Sequence, residues 1–350
     1  MLYLEKVSTE KHRIQVNVIP PPKEKGDLAK MDVIRYTEDI REEWEEFVEN
    51  SNNGTIFHLQ RFLDYHPMGR FMSHHLVFRK KGKLVAVWPA VEKLGGSGRQ
   101  LISHAGASYG GFVVREDLSI RDAVLLVESL VQYASKEGFG SIVLTQPPLI
   151  YYRLPNNYLD FALIKCGFEY LKRELTSVIS LNYREGDILS TFKNEARTAL
   201  RKAQRSGVEV AKSDDLKGFY EILTQNLKMR HNVNPTHSLD ELFRLKELLP
   251  KRIKQFSAYL GDKQIAGMML FICNPKVVLA FYISHKEEYQ RYRAVNFLFY
   301  EVIRWAVEQG FEFLDLGTFT LNMVPNWGLG RFKENFGARG YFRDTFEKRL

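Results

Sequence analysis

Cysteine is almost absent from these 350 residues. Only Cys166 and Cys273 occur, too few and too far apart for a disulfide framework or a thiolate metal site. No apolar run reaches the ~18 residues that would span a bilayer. The opening stretch MLYLEKVSTEKHRIQ lacks the apolar core of a secretory signal. A soluble, cytoplasmic protein is therefore expected. Metal-ligand spacing is missing too. His74 and His75 are adjacent, so on a strand they face opposite ways, and His58, His66, His104, His231, His237 and His285 are scattered. Neither a G-x-S-x-G elbow nor a P-loop is present. We expect no metal and no resident cofactor.

The composition, 45% hydrophobic and 26% charged, is that of a globular chain able to bury a full core. The length fits two domains or one large one. Net charge is +8 and uneven: Lys and Arg against Asp and Glu give +1 for residues 1–180 and +7 for residues 181–350. That asymmetry points to a polyanionic or phosphorylated partner for the second half; a generally basic surface is the alternative.

An internal repeat sets the architecture. AVLLVESLVQYASKEGFGSIVL (Ala123–Leu144) resembles NFLFYEVIRWAVEQGFEFLDL (Asn296–Leu316). Each reads as an amphipathic helix, a Gly-Phe turn and an apolar strand. Upstream, LVFRKKGKLVAVWPAVE and FSAYLGDKQIAGMMLFI both read as hairpins. The expected fold is mixed α/β, with α+β mixed sheets in two tandem domains related by the repeat. Residues 1–30 form an N-terminal extension, residues 31–178 the first domain, and residues 179–350 the second, which carries the active site.

Several stretches bear on chemistry. Residues 188–205 predict one helix whose Ile188, Phe192, Ala196 and Leu200 face a core. Lys193, Arg197, Arg201 and Arg205 repeat at the same spacing, with Lys202 beside them. This basic stripe, roughly 18 Å long, suits phosphate recognition or is a solvated face. Asp315 falls on the apolar row of Phe311 and Phe313, placed for proton transfer or for a local strand-end bond. GASYGGFVV brings glycines up to Tyr109, as a substrate entrance or a plain turn. GLGRFKENFG brackets Arg331 and Lys333 with glycines, as an anion site or a turn. A coenzyme A pyrophosphate needs bare glycines ahead of the helix near Asn296, and YQRYRAVN puts Arg293 and Val295 at those positions.

In order and spacing, FKNEARTALRKAQRSGVEV, YRAVNFLFYEVIRWAVEQGFEFLDLG and GLGRFKENFG resemble the FemAB/FemX-like peptidyltransferase family, whose members have tandem acetyltransferase (GNAT) folds. The resemblance runs from about Asp32 to the C-terminus. It implies an acyl- or aminoacyltransferase that moves an amino acid from aminoacyl-tRNA, or an acyl group, onto an amine of a phosphorylated cell-envelope precursor, with peripheral membrane association. It places substrate phosphates near Arg197, Arg201 and Arg230, and matches Lys333, Asp315 and Gly317 to family motifs. On that basis Lys333, with Arg331 nearby, stabilises an oxyanion or phosphate. Asp315 orients or deprotonates the amine, Lys202 joins the basic stripe, and Tyr282 lines the groove. An acyl-coenzyme A-dependent N-acyltransferase of polysaccharide or lipid biosynthesis and a non-catalytic anion- or tRNA-binding module are the competing expectations.

Overall fold

A computed structural model describes residues 31–350 apart from 97 and 184. The expected extension, residues 1–30, lies outside the described residues. In the first half come β1 (Met31–Arg35), α1 (Arg41–Asn50), α2 (Gln60–Leu63) and β2 (Met72–Ser73), then β3 (Leu76–Lys80), β4 (Lys83–Trp88), β5 (Val91–Gly95), β6 (Gly98–Ser103) and β7 (Val113–Val114). Helix α3 (Ile120–Lys136), β8 (Ser141–Thr145), α4 (Tyr158–Lys165) and β9 (Glu169–Ser180) complete it. The second half opens with α5 (Asn194–Arg205), β10 (Val208–Lys212), α6 (Leu216–His231) and α7 (Leu239–Leu248). Strands β11 (Ile253–Leu260), β12 (Lys263–Ile272) and β13 (Val277–His285) lead into α8 (Ala294–Glu308) and β14 (Phe313–Thr318). The chain closes with a small hairpin, β15 (Thr320–Leu321) and β16 (Val324–Pro325), then α9 (Trp327–Glu334) and β17 (Arg339–Arg349).

The repeat is visible in three dimensions. Helices α3 and α8 each end against a glycine in the left-handed region, Gly138 at φ +75° and Gly310 at φ +78°. A residue there stops the helix and turns the chain into a strand, a conformation glycine adopts without steric cost. The hairpins β3–β4 and β11–β12 pair antiparallel as the sequence predicts. Helix α8 packs on β10–β13 around Leu298, Phe299, Val302 and Ile303, all fully buried. Helix α3 covers a separate core with Leu126, Val127 and Leu130.

The predicted helix over 188–205 is shorter than expected. A 3-10 turn covers Glu185–Ser190, and α5 begins only at Asn194. Ile188, Phe192, Ala196 and Leu200 are all buried nonetheless, because the turn returns the first two side chains to the same core. Spacing alone could not register the break.

Four strands, β1-β3-β4-β7, make one sheet. A second, of eleven strands, runs β10-β11-β12-β13-β14-β9-β17-β8-β6-β5-β2. At its centre strands of the two halves alternate: β9, from the first half, lies between β14 and β17, and β17, the last strand of the chain, lies between β9 and β8. Residue 178 sits within β9, inside this shared region. Strands β13 and β14 run parallel, as a crossover through α8 requires, but they pair only at Val277↔Phe313, Val278↔Leu314 and Leu279↔Asp315. Beyond that point they part, and β14 bulges against β9 between Asp315 and Thr318. The opening so formed positions the site.

Candidate active site

Asp315 is the last residue of the β13–β14 pairing and is fully buried. Its Oδ2 accepts hydrogen bonds from the Tyr109 hydroxyl at 3.1 Å and the Tyr151 hydroxyl at 2.8 Å. Its Oδ1 accepts from the Thr176 hydroxyl at 2.5 Å and from the Gly317 N–H at 2.8 Å. A carboxylate offers about four lone-pair sites, so these four donors leave none for an incoming amine. Burial, and then the charge of Asp315, push the phenols of Tyr109 and Tyr151 well above their ordinary range. Both therefore stay protonated, as donors must.

Lys333 reaches the same place from α9. Its Nζ donates to the Gly317 carbonyl at 2.8 Å and the Thr318 carbonyl at 3.0 Å, and the side chain is buried. Desolvation pulls its pKa down to about 8, while the charge of Asp315 opposes the shift. An ammonium has three N–H donors. Two are spent on the β14 bulge, and the third is available to a bound molecule. Opposite stands Arg343 of β17. It donates to the Ser108 carbonyl at 2.6 Å and lies 5.2 Å from the Tyr109 ring centroid, and its buried Nε has no partner. Together with Thr176, Phe281, Gly317 and Leu329, these residues line a cleft of about 330 Å³. Two cationic side chains thus line the cleft, a saturated carboxylate lies behind its wall, and both halves of the chain build it.

The glycines of GASYGG have a definite task here. A Cβ on Gly110 would come within 2.3 Å of the Ser103 backbone carbon and 2.4 Å of the His104 nitrogen, and Gly111 has φ +80°. This close approach delivers Tyr109 to Asp315. Gly110→Ala is expected to cost ~1–3 kcal/mol, because the colliding atoms are backbone. It is also expected to lift Tyr109 off the carboxylate. A thermal melt and the near-ultraviolet spectrum of the tyrosines check both effects.

The expected site residues divide. Tyr109 and Lys333 line the cleft, and Asp315 lies behind its wall, bonded to Tyr109. Arg331, two positions from Lys333 on α9, points away and forms a 2.9 Å ion pair with Glu195 of α5. Tyr282 does not line the cleft. Its hydroxyl shares a 2.8 Å hydrogen bond with His237 Nδ1, and burial raises its pKa to about 12. Arg197 bonds Asn194, while Arg201 and Lys202 are exposed on the outer face of α5. The side chain of Arg230 lies outside what the structure describes. Tyr151, Thr176 and Arg343 carried no sequence signal of their own. Each reaches Asp315 or Tyr109 only through the long-range pairing of β9 and β17 or through the loop after β8.

Residues 190–334 match the family of the acetyltransferase (GNAT) domain. This segment is a GNAT-type acyltransferase domain. Solved structures extend the likeness to the whole chain. FemX aligns with a TM-score of 0.70 at 15% identity, over 91% of this chain and 97% of its own. L-PGS from Bacillus licheniformis aligns at 0.58 and 13% identity, over 90% and 92%. A tandem GNAT protein from the clavulanic acid biosynthesis pathway aligns at 0.54 and 8%, over 91% and 98%. No curated protein matches significantly in sequence. The fold of the chain is thus a tandem GNAT fold, like that of FemX, and the GNAT domain supplies Asp315 and Lys333.

Proposed function

We propose that this GNAT protein moves an aminoacyl group from aminoacyl-tRNA onto an amine of a phosphorylated cell-envelope precursor. The observation that carries the reading is the pair of cationic side chains, Lys333 and Arg343, lining one cleft where β13 and β14 part. In such a transfer the acceptor amine, as free base, attacks the ester carbonyl and a C–N bond forms. The carbonyl oxygen becomes an oxyanion, and the C–O bond to the ribose then breaks. The amine gives its proton to the departing oxygen. Donors preorganised around the developing oxyanion contribute most to such reactions. Lys333 and Arg343 fill that role, and Asp315 is a positioning residue that holds Tyr109, Tyr151, Thr176 and the β14 bulge in register.

The basic face of α5 supports a polyanionic donor. Against a coenzyme A donor stands the entrance to α8, where Arg293 occupies a left-handed position at φ +57° and keeps a side chain where a pyrophosphate would need bare backbone. The acetyltransferase family match favours a second reading, transfer from an acyl-coenzyme A, which calorimetry with that ligand tests directly. Incubation with charged tRNAs and candidate amines should give the mass increment of one amino acid on the acceptor. Arg197→Glu/Arg201→Glu should raise the KM for the charged tRNA about tenfold at moderate salt while leaving kcat nearly unchanged. An unchanged KM would remove the helix from donor binding.

A further inference from the structure

Between the cleft and α9 the chain makes a hairpin that exposes what a soluble surface normally hides. Leu321 is 73% exposed, Met323 58%, Val324 68% and Trp327 78%. These four large apolar side chains occupy seven consecutive residues, a concentration that marks an interaction site rather than a scatter of single exposed residues.

The presentation is built. Leu321 pairs with Val324 and Thr320 with Pro325, so Asn322 and Met323 form a two-residue turn with φ +50° and +64°. Positive φ at both central positions is the I′ geometry that favours Asn-Gly. Asparagine occupies the first position. Methionine occupies the second, where glycine is at ease and a side chain is strained. A buried carboxylate holds this conformation: Glu174 of β9 accepts the Met323 N–H at 3.2 Å and the Thr320 hydroxyl. The Thr320 oxygen in turn accepts the Leu175 N–H at 2.9 Å. The fold thus uses a buried acid to fix an exposed methionine in a backbone state that methionine disfavours.

Charge beside the hairpin indicates the occupant. The far end of α9 rests on the start of α5 through Arg331–Glu195 and Lys193–Glu334. At ~1.5 Å per residue α9 is only about 12 Å long. The apolar tip therefore lies about one α9 length from Lys193, where the basic face of Lys193, Arg197, Arg201, Lys202 and Arg205 begins. Apolar side chains including a Trp, beside a cluster of Lys and Arg, are the combination that binds the interface of an anionic bilayer. Among the described residues no helix is long and apolar enough to cross a membrane.

We propose that the β15–β16 hairpin with Trp327, together with the basic face of α5, docks on an anionic lipid surface and holds the mouth of the cleft at that surface. Only its purpose, presenting the cleft to a membrane-held acceptor, rests on the transfer reading. The docking stands by itself. The other three tryptophans, Trp44, Trp88 and Trp305, are buried, so Trp327 is a native reporter.

The test uses the full chain with vesicles of equimolar phosphatidylglycerol and phosphatidylcholine, and with vesicles of phosphatidylcholine alone. The protein should sediment with the anionic vesicles at least about tenfold better than with the neutral ones, and added salt should weaken that binding. Tryptophan emission should shift to the blue on binding, and Trp327→Phe should abolish the shift. Leu321→Ser/Met323→Gly should lower vesicle binding about tenfold or more, and it should keep the wild-type rate of transfer to a water-soluble amine. Met323→Gly alone should melt no lower than the wild type, because glycine relieves the strained turn, so lost binding cannot be ascribed to misfolding. Equal sedimentation with both vesicles, failure to sediment with either, or wild-type binding by the double variant overturns the proposal. So does self-association in gel filtration that the double variant abolishes, which would assign the patch to a second copy of the chain. Vesicle binding by an otherwise inactive protein would overturn the transfer reading and leave the docking in place.

Discussion

Replacing Lys333 with Met should leave a folded protein whose transfer rate is lower by about a hundredfold to a thousandfold, the usual loss on removing one oxyanion donor. Methionine is unbranched and fills most of the lysine's buried path without its charge. The Gly317 and Thr318 carbonyls lose a donor each, which costs stability. The burden of burying an ammonium disappears with it, and burial of that ammonium is what pulls the Lys333 pKa down to about 8. These effects oppose one another, so the melting temperature should move little. Rates of mass increment and a thermal melt measure the two sides. The wild type also carries a pH signature. Lys333 donates as an ammonium and the acceptor reacts as a free amine, so the ratio of wild-type to variant rate, in which the acceptor's own titration cancels, should be constant below about pH 8 and fall as pH rises through that value. A ratio that climbs through pH 8 would instead make neutral Lys333 the working form.

The largest loss of stability is expected at Asp315. Asp315→Ala strips the acceptor from two buried phenols, a buried threonine hydroxyl and the Gly317 N–H. Leaving such groups unpaired costs ~1–3 kcal/mol each, partly offset by release of a buried charge. A net ~3–5 kcal/mol, or a fall of roughly 5–10 °C in Tm, is the expected result. Asp315→Asn keeps the shape and one accepting oxygen, and hydroxyls can rotate to meet its amide, so it should lose clearly less. The asparagine variant separates two roles. A positioning residue should lose stability and rate together, as the tyrosines loosen. An asparagine variant with wild-type stability and no transfer would show that the carboxylate takes part in the chemistry.

The repeat was legible because its signals are local. The amphipathic spacing of α3 and α8, the glycines at their ends and the apolar strands that follow each lie within about twenty residues. Asp315 was legible for a related reason, as one acid on an apolar row. Its environment was not. Tyr151 lies 164 residues away and Thr176 139 residues away, and nothing near either residue announces a shared partner. Lys333 stood out by its motif, but helical spacing, not proximity in sequence, sends it inward and its neighbour Arg331 out to α5. Tyr282, expected to line the groove, lies beside it instead. Strand β13 has a register shift against β12, and it is Phe281, not Tyr282, that faces the cleft.

The alternation of β14, β9, β17 and β8 makes the two halves topologically inseparable. Cutting the polypeptide between them would part paired strands, because each fragment would keep a strand whose partners are in the other. Removing β17 alone would leave β8 and β9 with bare facing edges in the middle of the sheet, the kind of edge that recruits foreign strands. The cleft sits on this seam, and its geometry is therefore fixed jointly by Tyr109 and Thr176 of one half and by Lys333 and Arg343 of the other.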